Sequence, residues 1–358
     1  MNKNVAIIGS VGLPARYGGW ETLVDHLTKN LSGEYSFTVF CSSKRYEARL
    51  ESYNGASLEY VNIDANGIQS IFYDLVSMIR SFKKADTLLI LGVSGCLFLP
   101  LLKLFSSSRF IVNIDGLEWK RDKWGRFAKW FLKLSEYFAI RFAHIVITDN
   151  KALQSYVLEK YGVSSKLISY GADHVRYEVL NENILEKYSF LKKKYSFGVC
   201  RIEPENNLDI ILSAFSEFGK FDLVIVGNWN NSEYAKNLRM QYENCSNLHL
   251  LDPIYEQTLL NQLRSNCNIY VHGHSAGGTN PSLVEAMHLG LSIVSFDVSY
   301  NRETTHNRAV YFDSKAQLIN ILTQSEGIAW LSVAKDMRLI AKSEYTWLTI
   351  SSQYANLF

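Results

Sequence analysis

A short apolar run, a glycine-containing loop and a helix start follow one another between residues 268 and 290. The run at 268–272 is typical of a buried strand. Asn280 followed by Pro281 predicts a helix start, because the asparagine side chain can cap free backbone N–H groups and proline is tolerated in the first turn. Gly290 predicts the end of that helix. A strand that leads through a glycine loop into a helix is typical of doubly wound α/β folds.

The loop between this strand and helix is a candidate ligand site. Free backbone N–H groups and the positive end of a helix dipole point into such a loop, and both favour a phosphate or the polar edge of a sugar. Gly277, Gly278, Thr279 and Asn280 are therefore candidate ligand-binding residues. Glu285 lies about one turn into the helix, where a carboxylate can accept hydrogen bonds from ribose hydroxyls. The alternative is that the turn serves packing alone.

The same alternation extends along the chain. Strand-like segments lie at 5–9, 37–40, 58–63, 87–91, 110–114, 144–147 and 166–169, and again at 197–200, 223–227, 248–250, 268–272 and 291–296. Helical stretches separate them, which predicts an α/β protein with two Rossmann-like, doubly wound parallel-sheet domains that face a cleft. We place an N-terminal domain at 1–180 and a C-terminal domain at 195–340. A polar linker is expected within 174–194, and residues 341–358 form a C-terminal helix that can return to the N-terminal domain.

The opening strand at 5–9 leads into a glycine-rich loop, as it does in dinucleotide-binding enzymes. Two features argue against such an enzyme. The glycines that follow are not spaced G-x-G-x-x-G, and the second strand ends in Cys41, Ser42 and Ser43, without the acidic residue that holds an NAD ribose.

Polar side chains follow several strands, at the sheet edge where ligands bind in this fold. Asp115 and Glu118 come directly after the strand at 110–114, where a carboxylate can orient an incoming hydroxyl. The alternative for this pair is a solvated loop with a helix cap. Asn150, after the next strand, is better explained as a helix cap. Arg201 follows the first strand of the second domain, where a guanidinium can clamp a diphosphate.

Charge and cysteine content narrow the function classes. A net charge of +2 gives no reason to expect a nucleic-acid partner. The five cysteines are scattered without C-x-x-C spacing, which predicts thiols in a reducing compartment. The N-terminus lacks the pattern of a signal peptide, and no apolar run approaches the ~20 residues of a bilayer span. We expect a cytoplasmic protein, peripheral at the inner face of the cell membrane.

Basic and aromatic residues interleave at 119–133. The aromatic residues include Trp119, Trp124, Trp130 and Phe131, and the basic residues are Lys120, Arg121, Lys123, Arg126, Lys129 and Lys133. A single acidic residue, Asp122, stands among them. This composition favours a segment that lies on an anionic membrane surface. The alternative is an ordinary amphipathic helix with a solvated basic face.

Five motifs together resemble the retaining glycosyltransferases of family 4, which have the GT-B fold, and more closely the bacterial rhamnosyltransferase group of surface-polysaccharide synthesis. The motifs are GLPARYGGWE at 12–21, IDGLEW at 114–119, YGAD at 170–173, RIEPENN at 201–207 and HGHSAGGTNPSLVEAM at 272–287. They are spread over nearly the whole chain.

The resemblance implies transfer of a sugar from a nucleotide-diphosphate sugar to a saccharide acceptor, with retention and without a bound metal or other cofactor. It implies that Glu285 holds the ribose and that Arg201 neutralises the departing diphosphate. Gly18 and Gly19 would approach the phosphates from the N-terminal, acceptor-side domain. In the C-terminal donor domain, the other donor-binding residues would be Asn206, Gly277, Gly278, Thr279 and Asn280. Asp115 stands where family members often carry a histidine near the reacting sugar.

The chain departs from the family pattern at two positions. Asn206 stands where the family has a lysine five residues after the diphosphate arginine, and Gly277 stands where it has an earlier glutamate. Leaving-group charge is then expected to rest more on Arg201, backbone N–H groups and the helix end. Recognition of the donor sugar through that glutamate does not carry over.

For the group that the chain resembles, the expected donor is dTDP-L-rhamnose. The expected acceptor is a lipid-linked saccharide at the membrane, in polysaccharide, O-antigen or capsule synthesis. A UDP-hexose donor, a nucleotide-sugar epimerase of the same architecture and a binding module without chemistry are the alternatives. His272 and His274 have metal-ligand spacing, but no third ligand is evident nearby, so no metal site is predicted.

Overall fold

The computed structural model describes residues 2–16, 18–114, 116–120 and 124–358. Contacts within the chain divide it into two units. The first unit comprises Met1–Gly171 together with Trp347–Phe358, and the second comprises Ala172–Thr346. None of the helices within the described ranges is long and apolar enough to cross a membrane.

In its described part, the first unit is built on an eight-stranded sheet. The strands are β1 (Lys3–Ile8), β2 (Tyr35–Ser42), β3 (Ser52–Tyr53), β4 (Ala56–Val61), β5 (Thr87–Leu91), β6 (Arg109–Ile114), β7 (Ile145–Thr148) and β8 (Lys166–Leu167). Their order is β3-β4-β2-β1-β5-β6-β7-β8, and the pairs are parallel except β3 with β4. The helices are α1 (Gly19–Leu31), α2 (Gln69–Ser81), α3 (Leu99–Leu104), α4 (Arg126–Phe142) and α5 (Lys151–Tyr161).

Helices α2 to α5 share one apolar core with the central strands. Met78 of α2, Leu99 of α3 and Ala139 of α4 pack with Ile90 of β5 and Val112 of β6. Central strands of a parallel sheet are covered on both faces, which explains why their sequences are continuous apolar runs rather than alternating ones.

The second unit is built on six parallel strands in the order β11-β10-β9-β12-β13-β14. They are β9 (Tyr195–Val199), β10 (Asp222–Val226), β11 (Leu248–Leu251), β12 (Ile269–His272), β13 (Ile293–Phe296) and β14 (Val310–Phe312). The helices are α6 (Glu182–Lys187), α7 (Leu208–Phe218), α8 (Glu233–Tyr242), α9 (Gln257–Ser265), α10 (Pro281–His288), α11 (Ser299–Thr304), α12 (Lys315–Thr323) and α13 (Trp330–Glu344). The predicted architecture of two Rossmann-like sheets is confirmed.

A last helix, α14 (Trp347–Ala355), packs in the first unit. The Trp347 ring stacks on His26 of α1, with ring centroids 4.2 Å apart. Asn113 of β6 donates a hydrogen bond from Nδ2 to the Tyr354 hydroxyl, and Arg109 Nη1 donates to the Leu357 carbonyl oxygen at 2.8 Å. These contacts join the last residues to β6 and α1.

The contacts divide the chain at different residues from those expected. Residues 172–180 belong to the second unit, because α9 holds this segment: Asn266 Nδ2 donates to Glu178 O at 2.8 Å and Gln262 Nε2 donates to Val179 O at 3.1 Å. The expected polar linker contains α6, which is also part of the second unit. Residues 341–346 likewise remain with α13, so the segment that packs in the first unit starts at Trp347.

Candidate functional site

The loop between β12 and α10, residues 273–280, is the glycine loop of the second unit. It is tied to the loop that follows β9. Ser275 N donates to Glu205 O at 2.8 Å, and Asn207 Nδ2 donates to Gly273 O at 2.8 Å. Gly273 permits this approach, because a Cβ atom there would lie 2.0 Å from a carbonyl oxygen of the neighbouring loop. The bonds satisfy backbone groups that would otherwise be left without partners.

Another strand end holds the same loop. The buried Asn301, in α11 after β13, donates from Nδ2 to His274 O at 2.8 Å and to Phe296 O at 2.9 Å. The glycine loop is therefore fixed from the carboxyl ends of β9, β12 and β13, and its geometry is set before any ligand binds.

The glycine loop ends at the capped N-terminus of α10. Asn280 Oδ1 accepts hydrogen bonds from the backbone N–H of Ser282 at 3.1 Å and from its hydroxyl at 2.8 Å, so the predicted cap is confirmed. Gly277 has a φ of +123°, which side chains other than glycine's rarely adopt. Gly278 and Thr279 are buried. The positive end of the α10 dipole faces this loop, which suits an anion.

Glu285 of α10 is an ionised carboxylate between two basic side chains. Arg264 Nη1 donates a hydrogen bond to Oε2, and His174 Nε2 lies 3.2 Å from Oε1. Burial by itself raises the pKa of Glu285, but Arg264 and His174 outweigh it and lower the pKa to about 2. The side chain is 17% exposed. Each carboxylate oxygen retains capacity for a further donor, such as a ribose hydroxyl.

The sequence did not point to Arg264 or His174. Arg264, in α9, is fully buried, and its Nη2 donates to Asn261 Oδ1 at 3.1 Å. Within the described ranges its Nε has no hydrogen-bond partner. A buried guanidinium needs a counter-charge, which Glu285 provides. Both residues are distant from Glu285 along the chain. The signal in the sequence that could have found Arg264 is a basic residue within a helix that packs on the sheet.

Arg201 and Asn206 lie together after β9. The Arg201 side chain is half-exposed, and within the described residues its ion-pair contact is a 4.0 Å approach of Nε to Glu203 Oε2. Asn206 is buried: its Nδ2 donates to the Arg201 carbonyl oxygen at 2.7 Å, and its Oδ1 lies 2.9 Å from His274 Nδ1. Asn206 therefore joins Arg201 to the glycine loop, and both polar atoms of its side chain are engaged within the protein.

His272 and His274 lie at the end of β12 and the start of the glycine loop. Their ring centroids are 6.2 Å apart, and burial lowers the pKa of His272 to about 3, so this ring is neutral. Among the residues that the structure describes, no three histidine, cysteine, aspartate or glutamate side chains are grouped so that they could hold a metal ion.

The first unit has its own glycine loop between β1 and α1, described at residues 9–16 and 18. Gly18 has a φ of +132°, and α1 begins at Gly19. Glu21, in the first turn of α1, is buried and accepts a hydrogen bond from Val11 N at 2.6 Å. A Cβ atom at Gly18 would lie 2.1 Å from Glu21 Oε2, so the carboxylate fills the space beside this glycine. The approach of Gly18 and Gly19 to phosphates stays a prediction.

The acceptor-side carboxylates are only partly placed. Asp115 lies outside the described residues, as do Arg121, Asp122 and Lys123. Glu118 is half-buried and begins a short 3-10 helix, Glu118–Lys120, in the loop that follows β6. Their proposed contact with an acceptor hydroxyl stays a prediction.

Two family models match the chain. Residues 2–173 match a domain of unknown function, DUF1972, and residues 181–324 match the family described as glycosyl transferases group 1. The match to glycosyl transferases group 1 lies within the second unit. A comparison with curated proteins found no match.

Solved structures with the same fold cover almost the whole chain. Sucrose-phosphate synthase from Thermosynechococcus elongatus superposes with a TM-score of 0.84 at 14% identity, over 99% of this chain and 98% of that one. HepE from Anabaena, solved with UDP-glucose, gives 0.78 at 16% identity, over 99% of both chains. An α,α-trehalose 6-phosphate synthase from Burkholderia multivorans gives 0.75 at 9% identity, over 99% of this chain and 96% of that one. The chain has the GT-B fold.

Proposed function

We propose that this protein is a retaining, metal-independent glycosyltransferase whose donor is a nucleotide-diphosphate sugar. The observation that carries this proposal is the ionised Glu285 in the helix whose capped N-terminus opens into the fixed glycine loop. A carboxylate suits ribose hydroxyls, and the helix end suits a diphosphate, so one nucleotide diphosphate can use both. The match of residues 181–324 to glycosyl transferases group 1 supports this function.

Arg201 is proposed to neutralise the diphosphate as it departs. Among the described residues, the carboxylate that approaches its half-exposed guanidinium is that of Glu203 at 4.0 Å, and Asn206 ties the Arg201 backbone to the glycine loop. A fixed positive charge beside the leaving group stabilises a transition state without a metal ion. Asn206 is then a positioning residue, because both polar atoms of its side chain already have partners in the protein.

For the donor sugar we propose L-rhamnose, carried by dTDP, on the motif resemblance alone. A UDP-hexose is the second candidate, and the observation that favours it is the similarity to HepE, which was solved with UDP and with UDP-glucose. An epimerase of the same architecture would use a similar donor site. It is distinguished from both glycosyltransferase candidates because it turns over the nucleotide sugar without an acceptor.

For the acceptor we propose a lipid-linked saccharide, reached by docking on an anionic membrane surface. Exposed apolar side chains concentrate on or beside α2, α3 and α4: Ile68, Phe72, Ile79, Leu101, Leu104, Phe105, Phe127 and Trp130. Exposed Arg126 and Lys133 lie on the same helix as the last two. An apolar surface flanked by basic residues suits the interface of an anionic bilayer.

This surface differs from the one expected from residues 119–133. Trp119 and Phe131 are half-buried, and the Trp119 Nε1 donates to the buried Glu136 Oε2 at 3.0 Å. They are therefore not the exposed aromatics. Instead, α2 and α3 supply exposed apolar residues that the sequence had not singled out.

The proposed function is tested by thermal shift with a panel of nucleoside diphosphates and their sugars, followed by product analysis with a lipid-linked acceptor. A matching nucleotide should raise the melting temperature, since a ligand stabilises the state that binds it. Transfer should persist in a metal chelator, and the product should keep the anomeric configuration of the donor by NMR. Donor turnover without acceptor would identify an epimerase instead. A nucleotide-dependent shift without any turnover would favour a binding module, and absence of any nucleotide-dependent shift would contradict the proposed donor class.

A further inference from the structure

Three ammonium groups surround one indole ring in the first unit. The Nζ atoms of Lys133, Lys160 and Lys120 lie 5.0, 5.1 and 5.6 Å from the centroid of the Trp119 ring. They come from α4, from α5 and from the short helix after β6. We call these four residues the Trp119 cluster.

A buried carboxylate beneath the indole fixes its orientation. Glu136 of α4 accepts hydrogen bonds from Trp119 Nε1 at 3.0 Å, from the Tyr156 hydroxyl at 2.7 Å and from the Tyr161 hydroxyl, and it lies 3.4 Å from Lys160 Nζ. Its side chain is 2% exposed. Because all these donors converge on one buried acceptor, the site is preorganised rather than a chance meeting of surface side chains.

The positive charge of the cluster is only partly balanced. Glu136 pairs with Lys160, whereas Lys120 and Lys133 have no ion-pair partner in the part of the chain that the structure describes. Burial lowers the pKa of Lys160, and the charges of Lys133 and Lys120 lower it further, although Glu136 acts in the opposite direction. The ammonium groups of Lys133 and Lys120 repel that of Lys160, and a bound anion would reduce that cost.

The cluster also has a suitable position. It directly follows Glu118, the candidate acceptor-side carboxylate, at the carboxyl end of β6 where ligands of this fold bind. On its other side, Lys133 lies one turn along α4 from Trp130, whose side chain is 59% exposed and belongs to the apolar surface. A phosphate held here would have a sugar-facing loop on one side and an apolar surface on the other.

We propose that the Trp119 cluster binds the phosphate or diphosphate that joins the saccharide of the acceptor to its lipid. Lys120 and Lys133 contact the phosphate oxygens, and Lys160 adds a third positive charge. The apolar surface around Trp130 receives the lipid. This inference rests on the proposed function and adds to it the chemical group by which the acceptor is recognised.

The test measures binding to neutral phosphatidylcholine vesicles that contain a few per cent farnesyl diphosphate. The double variant Lys120→Gln/Lys133→Gln removes two charges and spares Lys160 and Glu136, so the buried part of the cluster is retained. Arg141→Gln, an exposed basic residue near the end of the same helix, is the matched control. We expect the double variant to bind about tenfold more weakly or worse, and the control to match the wild type.

Two further measurements distinguish binding to the diphosphate group from binding to any anionic lipid headgroup. Inorganic pyrophosphate should compete with the farnesyl diphosphate, and vesicles of equal charge made with phosphatidylglycerol should bind more weakly. Equal binding to both kinds of vesicle, or equal weakening in the double variant and in Arg141→Gln, would overturn the proposal in favour of general surface charge. Circular dichroism confirms that each variant is folded. No donor is present, so this result is independent of whether the protein transfers sugar.

Discussion

Each unit contains a glycine loop that leads from a strand into a helix, and each of these helices carries a buried or nearly buried glutamate. The two carboxylates are in opposite electrostatic situations. Glu21 of the first unit accepts a backbone N–H, and burial raises its pKa. Glu285 of the second unit also suffers burial, but Arg264 and His174 lower its pKa to about 2.

The difference shows that a strand, a glycine loop and a helix do not by themselves make a ligand site. Glu21 fills the space beside Gly18 and holds the backbone of its own loop. Glu285 is kept charged by partners from other elements and can still accept hydroxyl groups. The counter-charges around Glu285 are the reason why we propose the second loop, and not the first, as the nucleotide site.

The largest expected effect is on stability. Arg264→Met leaves the carboxylate of Glu285 without its main counter-charge, and we expect the free energy of unfolding to fall by about 3–5 kcal/mol. The measurement is urea denaturation. Arg264→Met/Glu285→Gln should recover much of the loss, because a neutral amide needs no counter-charge.

Glu21→Gln should change stability by less than about 1 kcal/mol, since the amide oxygen can still accept from Val11. If Arg264→Met also lowered the free energy of unfolding by less than about 1 kcal/mol, the electrostatic difference between the two loops would be contradicted.

The next effect is on catalysis. Arg201→Ala should raise the barrier to transfer by about 3 kcal/mol, or more than a hundredfold in kcat/KM, by removing a fixed charge at the leaving group. Arg16, in the glycine loop of the first unit, is the comparison: its Nη1 donates to Arg45 O at 3.0 Å, and its guanidinium lies 4.8 Å from the Tyr46 ring centroid. Arg16→Ala should stay within a few-fold of the wild type. Activity of Arg201→Ala within that same range would exclude it from the site.

The two glutamates can be compared directly by nucleotide binding. Glu285→Gln should weaken binding of the nucleoside diphosphate by about 1.5–3 kcal/mol, because a charge-assisted hydrogen bond to the ribose is lost. Glu21→Gln should leave the affinity unchanged. Isothermal calorimetry with the nucleotide alone measures both. Unchanged affinity in Glu285→Gln would contradict its ribose role.

The smallest effect is a pair of opposite pH slopes. The carboxyl of Glu285 has a folded pKa near 2 against an ordinary 4.5, so its contribution to stability is present above pH 4.5 and is lost as the pH falls towards 2. The folded pKa of Glu21 is raised above 4.5, so its contribution is present below that pH and is lost as the pH rises through the folded value. The difference in free energy of unfolding between the wild type and each glutamine variant should change by at most about 1.4 kcal/mol per pH unit. Denaturation at several pH values measures this, and slopes of the same sign would be inconsistent with the two environments.

Local features of the structure were predictable from the sequence. Asn280 caps α10 and Asn150 caps α5, as their positions before helical patterns predict. The strands coincide with apolar runs, for example at Thr87–Leu91. These features depend on a few neighbouring residues, whose backbone preferences can be predicted without knowledge of the fold.

Features made by distant residues were not predictable. His174 and Arg264 meet Glu285 only because three separate elements converge in the second unit. The sequence of α3 does not show which of its leucines are buried, and only packing shows that Leu101 and Leu104 are exposed while Leu99 and Leu102 are buried. Both outcomes are set by tertiary contacts rather than by local pattern.

The return of α14 to the first unit has a consequence for synthesis on the ribosome. β6 and α1 are made early, but their partners Tyr354, Leu357 and Trp347 are made only after the entire second unit. The second unit is one continuous segment and can fold as soon as it emerges. The earlier half of the chain must wait with part of its surface uncovered, so the order of completion is the reverse of the order of translation.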